Sequence, residues 1–147
     1  MFAVMMVLHE RGANVLVPFG ENTRYDLVLD DGGGVLLRIQ CKAGRPRNGA
    51  VCFFTASSYG HHSHPQQMRR TYVAEVDAFG VYCAETGAVY LVPIRETKTG
   101  TQAALRVLPA RNGQRDGIRI ASDYEIGSVV VTSTRARART AALPRPP

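Results

Sequence analysis

The sequence predicts one α/β domain, in which an N-terminal helix packs on a β-sheet. A chain of 147 residues has the usual size of one domain and can bury a core without disulfides. Three observations lead to the fold prediction. They are an apolar opening that ends before a glycine, and two pairs of strand-like runs that are each divided by a short turn. The segments concerned are 1–12, 24–42 and 77–94.

The apolar opening from Met1 to Leu8 is too short to span a membrane, and it lacks the basic start and the cleavage site of a secretory signal. We interpret it as the remainder of a helix that ends near Gly12, a residue suited to a helix C-terminus. The chain has three cysteines without metal-binding spacing, which predicts neither a disulfide framework nor a zinc site. A cytoplasmic protein with no membrane partner is therefore expected.

The first pair of strand-like runs carries the polar residues of greatest interest. Residues 24–30 and 35–42 are rich in branched apolar side chains and flank a glycine-rich turn, which predicts an antiparallel hairpin. If the turn is centred on the middle glycine, Asp26 lies opposite Gln40 with Cβ atoms roughly 5 Å apart. Strand alternation places Lys42 on the same face as Gln40. A carboxylate, an amide oxygen and an ammonium group are therefore predicted to converge.

These three groups suit metal-dependent hydrolysis of a phosphodiester. A divalent cation needs hard oxygen ligands, which Asp26, the side-chain carbonyl of Gln40 and the backbone carbonyl of Cys41 could supply. The cation would polarise the phosphate and lower the pKa of a bound water, while Lys42 would stabilise the developing charge or orient that water. From the spacing alone, an ordinary amphipathic hairpin with a polar solvent face is the more common outcome.

Asp26 followed by Gln40-Cys41-Lys42 resembles the PD-(D/E)xK nuclease signature, in the variant where glutamine replaces the second acid. Longer blocks extend the resemblance from about Leu8 to about Tyr124. The chain is similar in this range to the small family of PD-(D/E)xK endonucleases typified by a group I intron homing endonuclease. The blocks that carry the similarity are 17–28, 40–45, 75–83 and 89–93.

The resemblance implies a restriction-endonuclease-like α/β fold, with the N-terminal helix on a central mixed sheet, over residues 1–127. Residues 128–147 form a basic tail that is too poor in large apolar residues to bury a face. The resemblance also implies Asp26, Gln40 and Lys42 as the catalytic positions, Mg²⁺ as the cofactor with Mn²⁺ as a substitute, and double-stranded DNA as the substrate. Two-strand cleavage by subunits with one site each implies a homodimer or homotetramer.

One departure from the family pattern concerns the first helix. Relatives usually carry an acidic residue early in that helix, whereas no acid precedes Glu10 here. Either the chain starts late, or this copy has lost a helper ligand. Glu21, in the loop before the catalytic strand, could substitute for it, although a solvated side chain is the favoured interpretation. Two alternatives to an active endonuclease follow: a catalytically impaired DNA-binding or scaffold protein of the same fold, and a junction-resolving nuclease.

The formal net charge of +6 indicates an anionic partner. Part of this charge lies in the C-terminal tail, which would attract phosphates without reading sequence. The body of the domain also carries arginines near the proposed site, and we expect these to contact the DNA backbone. They are Arg38, Arg45, Arg47, Arg69 and Arg70.

Three further features complete the prediction. Residues 51–55 follow a turn at Asn48-Gly49 and are expected to pair with the catalytic strand. The histidines in 61–64 lack a matching carboxylate or cysteine, so exposed histidines are favoured over a zinc site. Asp77 receives no catalytic role, because an acid at the start of a strand usually caps a backbone group or pairs with an arginine.

Overall fold

The computed structural model describes residues 1–20, 22–57, 69–97, 100–108 and 117–128. Glu21, the histidine cluster in 61–64 and all of the C-terminal tail except Ser128, which ends a strand, lie outside these ranges. The predictions made for them therefore remain predictions. None of the described helices is long and apolar enough to cross a membrane.

The N-terminal helix, α1, spans Phe2–Glu10 and buries Val4, Val7 and Leu8. It ends as predicted, because Gly12 has a left-handed φ of +79° and its N–H group donates a hydrogen bond to the carbonyl of His9. Glycine takes this conformation at no steric cost.

Ten strands follow within the described residues, and eight of them form one sheet. Its main path runs in the order β1-β2-β3-β7-β8-β10. The β3–β7 pair is parallel, whereas the β2–β3 and β7–β8 pairs are antiparallel, so the predicted mixed sheet and both predicted hairpins are confirmed. The strands are β1 (Asn14–Leu16), β2 (Leu27–Asp30), β3 (Leu36–Arg47), β4 (Ala50–Phe54), β5 (Ala56–Ser57), β6 (Arg70–Thr71), β7 (Ala78–Cys83), β8 (Ala88–Pro93), β9 (Gln102–Arg106) and β10 (Glu125–Ser128). Short 3-10 helices cover Ile94–Glu96 and Ala121–Asp123.

The hairpin of β2 and β3 has the register that the sequence predicts. Leu27 lies opposite Ile39 and Asp30 opposite Leu36. The side chain of Asp31 fixes the turn, because one carboxylate oxygen accepts hydrogen bonds from the N–H groups of Gly33 and Val35. Aspartate commonly bonds to the backbone two residues further on in this way, which stabilises a turn.

Strand β3 is unusually long, with 12 residues, and it belongs to two sheets. Its first part pairs with β2 and β7, and its last three residues pair with β4. This confirms the predicted pairing of β4 with the catalytic strand. Strand β9 pairs with the other edge of β4 in antiparallel orientation. We call the surface formed by residues 45–47 together with β4 and β9 the arginine ribbon.

Gly44 lies where β3 passes from one sheet to the other, and the packing leaves no room there for a side chain. A Cβ atom at this position would lie 2.6 Å from Cγ1 of Val51 and 2.9 Å from Cγ1 of Val81. Both distances are shorter than carbon atoms tolerate, so the glycine permits the close approach of the ribbon to β7.

The core has two parts, one on each face of the main sheet. One part lies under α1 and includes Leu27 and Ile39. The other lies on the opposite face and includes Phe53, Tyr72 and Phe79. The proposed polar site faces the second part, since Gln40 and Lys42 alternate with the helix-facing residues of β3.

Candidate active site

Asp26 and Gln40 contact each other directly. The backbone N–H of Asp26 donates to the carbonyl of Ile39 at 2.9 Å, which fixes the position just before β2. Nε2 of Gln40 then donates to Oδ2 of Asp26 at 2.6 Å, and the backbone N–H of Cys41 donates to the same oxygen at 2.7 Å. One carboxylate oxygen is thus oriented by two donors. Among the described residues, none donates to the other oxygen, Oδ1, which is left available to a ligand.

Cys41 contributes its backbone rather than its thiol. Its side chain packs against the cluster under α1, and burial raises the pKa of the thiol to about 11. A thiol with that pKa stays protonated at neutral pH and is a poor metal ligand. The carbonyl oxygen of Cys41 lies on the side of the strand where the amide of Gln40 reaches it, at 3.4 Å from Nε2.

The donor set fits a hard divalent cation. It would consist of the free carboxylate oxygen of Asp26, the backbone carbonyl of Cys41 and, after rotation of the amide that directs Nε2 toward both residues, the side-chain carbonyl of Gln40. Mg²⁺ prefers such oxygens and typically keeps several waters, so one carboxylate together with substrate phosphates can hold it. Within the described part of the chain, no group of three His, Cys, Asp or Glu side chains could hold a metal ion. In the described part of the chain, Asp26 is the one carboxylate that contacts Gln40 and the backbone N–H of Cys41.

Lys42 reaches an aromatic side chain instead of Asp26. Its Nζ donates to the hydroxyl of Tyr72 at 2.8 Å and lies 4.3 Å from the centroid of that ring. Lys42 also lines a cleft of about 650 Å³ that extends to Arg45 and Phe54. Its ammonium group is therefore held by Tyr72 at the edge of an open, partly basic groove.

Two of the arginines predicted to bind DNA are engaged by carboxylates. Arg38 donates from Nε and Nη2 to the two oxygens of Asp77, at 3.0 Å each. These hydrogen bonds hold the pKa of the Asp77 carboxyl below its ordinary value, which confirms the predicted pairing of Asp77 with an arginine. Arg70 forms an ion pair with Glu75. The DNA contacts of Arg38 and Arg70 remain predictions.

Arg45 and Arg47 project from the arginine ribbon and are exposed. Arg69 donates to the hydroxyl of Thr101 at 2.9 Å, beside the same cleft. The ribbon also carries Arg106, which the sequence analysis missed. It pairs in register with Ala50 next to Arg47, and its guanidinium donates to the carbonyl of Asn48 at 2.6 Å.

The ribbon is uniformly basic. Strands β3, β4 and β9 contain no aspartate or glutamate. Small side chains separate the arginines on the outer face, where Arg45 pairs with Cys52 and Cys52 pairs with Ala104. The alternation of residues 102–106 could have placed Arg106 and Ala104 on one face, but the pairing of β9 with β4 has no local signal.

The sequence analysis also gave no role to Tyr72 or Arg24. Arg24 lies two residues before Asp26, and its guanidinium carbon stacks 4.1 Å from the centroid of the Tyr72 ring. A resemblance block includes Arg24, so the block could have identified it as a candidate. No spacing in the sequence connects Tyr72, which follows β6, with Lys42 in β3.

The comparisons with known proteins agree with this architecture. Residues 1–127 match the PD-(D/E)XK endonuclease family. Among solved structures, the chain is similar to the bacterial homing endonuclease I-Ssp6803I, with 23% sequence identity, a TM-score of 0.67, and coverage of 84% of this chain and 82% of that chain. No curated protein matches. The predicted restriction-endonuclease-like fold is confirmed, and the chain belongs to the PD-(D/E)XK endonuclease family.

Proposed function

We propose that this protein is a divalent-metal-dependent endonuclease that hydrolyses phosphodiester bonds of double-stranded DNA. The observation that carries the proposal is the contact between Asp26 and Gln40, which orders one carboxylate oxygen and leaves the other available. Family membership over residues 1–127 supports a nuclease. The metal, the substrate and the residue roles are proposals that rest on the family resemblance, and the contact between Asp26 and Gln40 supports them.

Each of the residues near Asp26 has a distinct role in this proposal. Asp26, Gln40 and the carbonyl of Cys41 would hold Mg²⁺, or Mn²⁺ in its place. The bound ion would act as a Lewis acid on the scissile phosphate and lower the pKa of a water ligand. Lys42 presents a fixed positive charge two residues further along the strand, where it stabilises negative charge that develops on the phosphate oxygens.

The arginine ribbon supplies the surface for DNA. Arg45, Arg47 and Arg106 lie together on a face without acidic residues, and the cleft that Lys42 lines reaches this face at Arg45. Arginine contacts to phosphates position a protein on the duplex without reading its sequence. Arg69, at the edge of the cleft, extends the basic surface. Cleavage of both strands would require a homodimer or homotetramer.

One observation favours a second function. The donor set contains a single carboxylate, and a site with one charged ligand binds divalent cations weakly. A catalytically silent DNA-binding protein of the same fold would keep the arginine ribbon and would tolerate the weak site. The other alternative is a junction-resolving nuclease, which would cleave four-way junctions in preference to linear duplexes.

The test uses supercoiled plasmid with the purified full chain in Mg²⁺, Mn²⁺ or EDTA. We expect nicking that needs the metal, and a fall of at least about 100-fold in rate for Asp26→Asn and for Lys42→Ala. Asp123→Ala, a change far along the chain from the hairpin, is the matched control and should keep the wild-type rate. DNA binding in Ca²⁺ should survive all three substitutions.

The outcomes separate the candidates. Binding without cleavage in either metal would identify the silent DNA-binding protein. Cleavage that persists in Asp26→Asn would show a contaminating nuclease or a different site. A synthetic four-way junction that is cut much faster than the linear duplex would identify the resolvase.

A further inference from the structure

We propose that Tyr72 is the positioning residue of Lys42, and that its hydroxyl holds the lysine ammonium where the phosphate is cleaved. The inference rests on the proposed function of Lys42, and it adds a residue that lies outside the PD-(D/E)xK signature. Two contacts carry it: the hydrogen bond from Nζ of Lys42 to the Tyr72 hydroxyl at 2.8 Å, and the placement of the same nitrogen 4.3 Å from the ring centroid.

A lysine needs such a partner to act from a fixed position. Its ammonium group is a point charge on a flexible four-carbon stem with freely rotating donors. Lys42 is only partly buried, so packing alone does not restrict the stem. The hydroxyl of Tyr72 accepts a hydrogen bond from one ammonium N–H group, and the ring face attracts the positive charge. The other ammonium N–H groups remain able to donate to a different partner.

The ring of Tyr72 is itself rigidly held. Only 5% of the residue is exposed, and its ring meets Phe79 edge to face, with centroids 5.7 Å apart and planes at 89°. Arg24 stacks on the ring. The guanidinium of Arg24 is fixed in turn by the side chains of Glu75 and Ser57, at 2.6 Å and 2.9 Å.

Two arginine–carboxylate pairs attach the Tyr72 segment to the strands of the metal site. We call these pairs, Arg24–Glu75 and Arg38–Asp77, the latches. Their arginines lie two residues before Asp26 and two residues before Gln40, respectively. The segment that carries Tyr72 is therefore tied to both strands from which the proposed metal ligands arise.

The turn between Tyr72 and Asp77 places both latch carboxylates. The carbonyl of Tyr72 accepts hydrogen bonds from the N–H groups of Glu75 and Val76, at 3.0 Å and 3.1 Å. Ala74 takes a left-handed φ of +65° within this turn, and its carbonyl accepts a hydrogen bond from Arg38. A backbone conformation that is unfavourable for alanine is kept where it orients the latches.

A phenylalanine at position 72 would keep the ring contacts with Phe79 and Arg24. It would lose the hydrogen bond to Lys42. Tyr72→Phe is therefore a substitution that separates the positioning role of the hydroxyl from the packing role of the ring.

The first measurement does not depend on activity. The chain has two lysines, Lys42 and Lys98, so protein labelled with ¹⁵N at lysine Nζ gives an ammonium spectrum that Lys42→Arg assigns. We expect the Lys42 protons to exchange with water about tenfold faster in Tyr72→Phe than in wild type, because a hydrogen bond that protects them is gone. An unchanged exchange rate and chemical shift of Lys42 would overturn the inference.

The second measurement separates kcat from KM in plasmid cleavage. We expect Tyr72→Phe to lower kcat about tenfold while KM and the melting temperature stay at wild-type values. Tyr124→Phe is the matched control and should change neither constant. An unchanged kcat in Tyr72→Phe would contradict the inference, and so would a fall in kcat that a lower melting temperature accompanies.

The two proposals fail in distinguishable ways. If Asp26→Asn abolishes cleavage and Tyr72→Phe does not affect it, the proposed function stands and the positioning role is wrong. If the wild-type chain does not cleave DNA in either metal, the proposed function is wrong. The exchange rate of the Lys42 ammonium then decides whether Tyr72 holds the lysine.

Discussion

The latches and the arginine ribbon use the same residue type in opposite ways. In the latches, Arg24 and Arg38 donate to carboxylates that lie within hydrogen-bond distance. On the ribbon, the strands themselves provide no carboxylate, and Arg45 and Arg47 are exposed. Arginine paired with a carboxylate fixes the structure of the site, whereas the exposed arginines at the end of β3 are available to phosphates. The surroundings of each guanidinium, more than its distance from Asp26, indicate its role.

The largest effect that this comparison predicts concerns DNA affinity. We expect the double substitution Arg45→Ala and Arg47→Ala to weaken DNA binding about 100-fold at 0.1 M salt. The dependence of log affinity on log salt should fall by about 2, because each phosphate contact contributes about 0.9 to that slope. Binding by fluorescence anisotropy over a salt series measures both quantities.

Arg95→Ala is the control, since Arg95 is 82% exposed but lies outside the ribbon. Its salt slope should equal that of the wild type. A wild-type slope in the ribbon double variant would show that the ribbon does not meet DNA.

A second prediction concerns Arg38, for which we expect a change in stability and no change in DNA binding. We expect Arg38→Ala to lower the melting temperature by roughly 3–6 °C, because Asp77 loses both hydrogen bonds from the guanidinium. The salt slope of DNA binding should not change. Circular dichroism and the same anisotropy series measure the two effects. The opposite result, with a reduced slope and an unchanged melting temperature, would place Arg38 on the DNA as the sequence analysis expects.

A third prediction concerns pH. Acid should weaken the latches, because their carboxylates become protonated, before it affects the arginine ribbon. Hydrogen bonds from arginine lower the pKa of Glu75 below its ordinary 4.5 and that of Asp77 below its ordinary 3.8. A carboxyl with a depressed pKa stabilises the fold above its unfolded-state value, and that contribution disappears as the pH falls through the folded-state value. Stability should therefore decline below about pH 4.5.

The measurement compares melting temperatures of the wild type and Asp77→Asn from pH 7 to pH 2. The wild type should melt at a higher temperature at neutral pH, and the difference should shrink as the pH falls below about 4. A difference that stays constant over the whole range would show that the Asp77 carboxylate does not stabilise the fold through its charge.

The smallest predicted effect concerns the latch turn. Ala74 has a φ of +65°, which glycine adopts more readily than alanine. We expect Ala74→Gly to raise the melting temperature by about 1–2 °C, since relief of strain slightly exceeds the entropy that glycine loses on folding. A lower melting temperature would show that the methyl group of Ala74 contributes more than the strain removes.

The proximity of Asp26 and Gln40 could be predicted because both residues belong to one hairpin. The turn at 31–34 and the alternation of its flanks specify the register locally, so the approach of Asp26 to Gln40 needed no long-range information. The helix end at Gly12 and the second hairpin were predictable for the same reason, since each depends on neighbouring residues.

Long-range pairing could not be predicted in this way. Tyr72 meets Lys42 across a separation of 30 residues, and the parallel pairing of β3 with β7 brings Asp77 beside Arg38. A residue such as Arg38 looks like a free cation in the sequence because the carboxylate that binds it lies far along the chain.

Because β3 is one continuous strand, it sets the distance between Gln40 and the exposed arginines at its end. Strand β3 carries Gln40 near its start and Arg47 at its end. Between them, Gly44 allows close packing at the point where β3 passes from one sheet to the other. At a rise of about 3.3 Å per residue, Arg45 and Arg47 lie roughly 17 and 23 Å from Gln40. In a complex of the proposed kind with DNA lying along β3, successive base pairs about 3.4 Å apart would place the anchored phosphates some five to seven base pairs from the bond that is cut. An insertion in β3 would therefore displace the cleavage point relative to the anchored backbone.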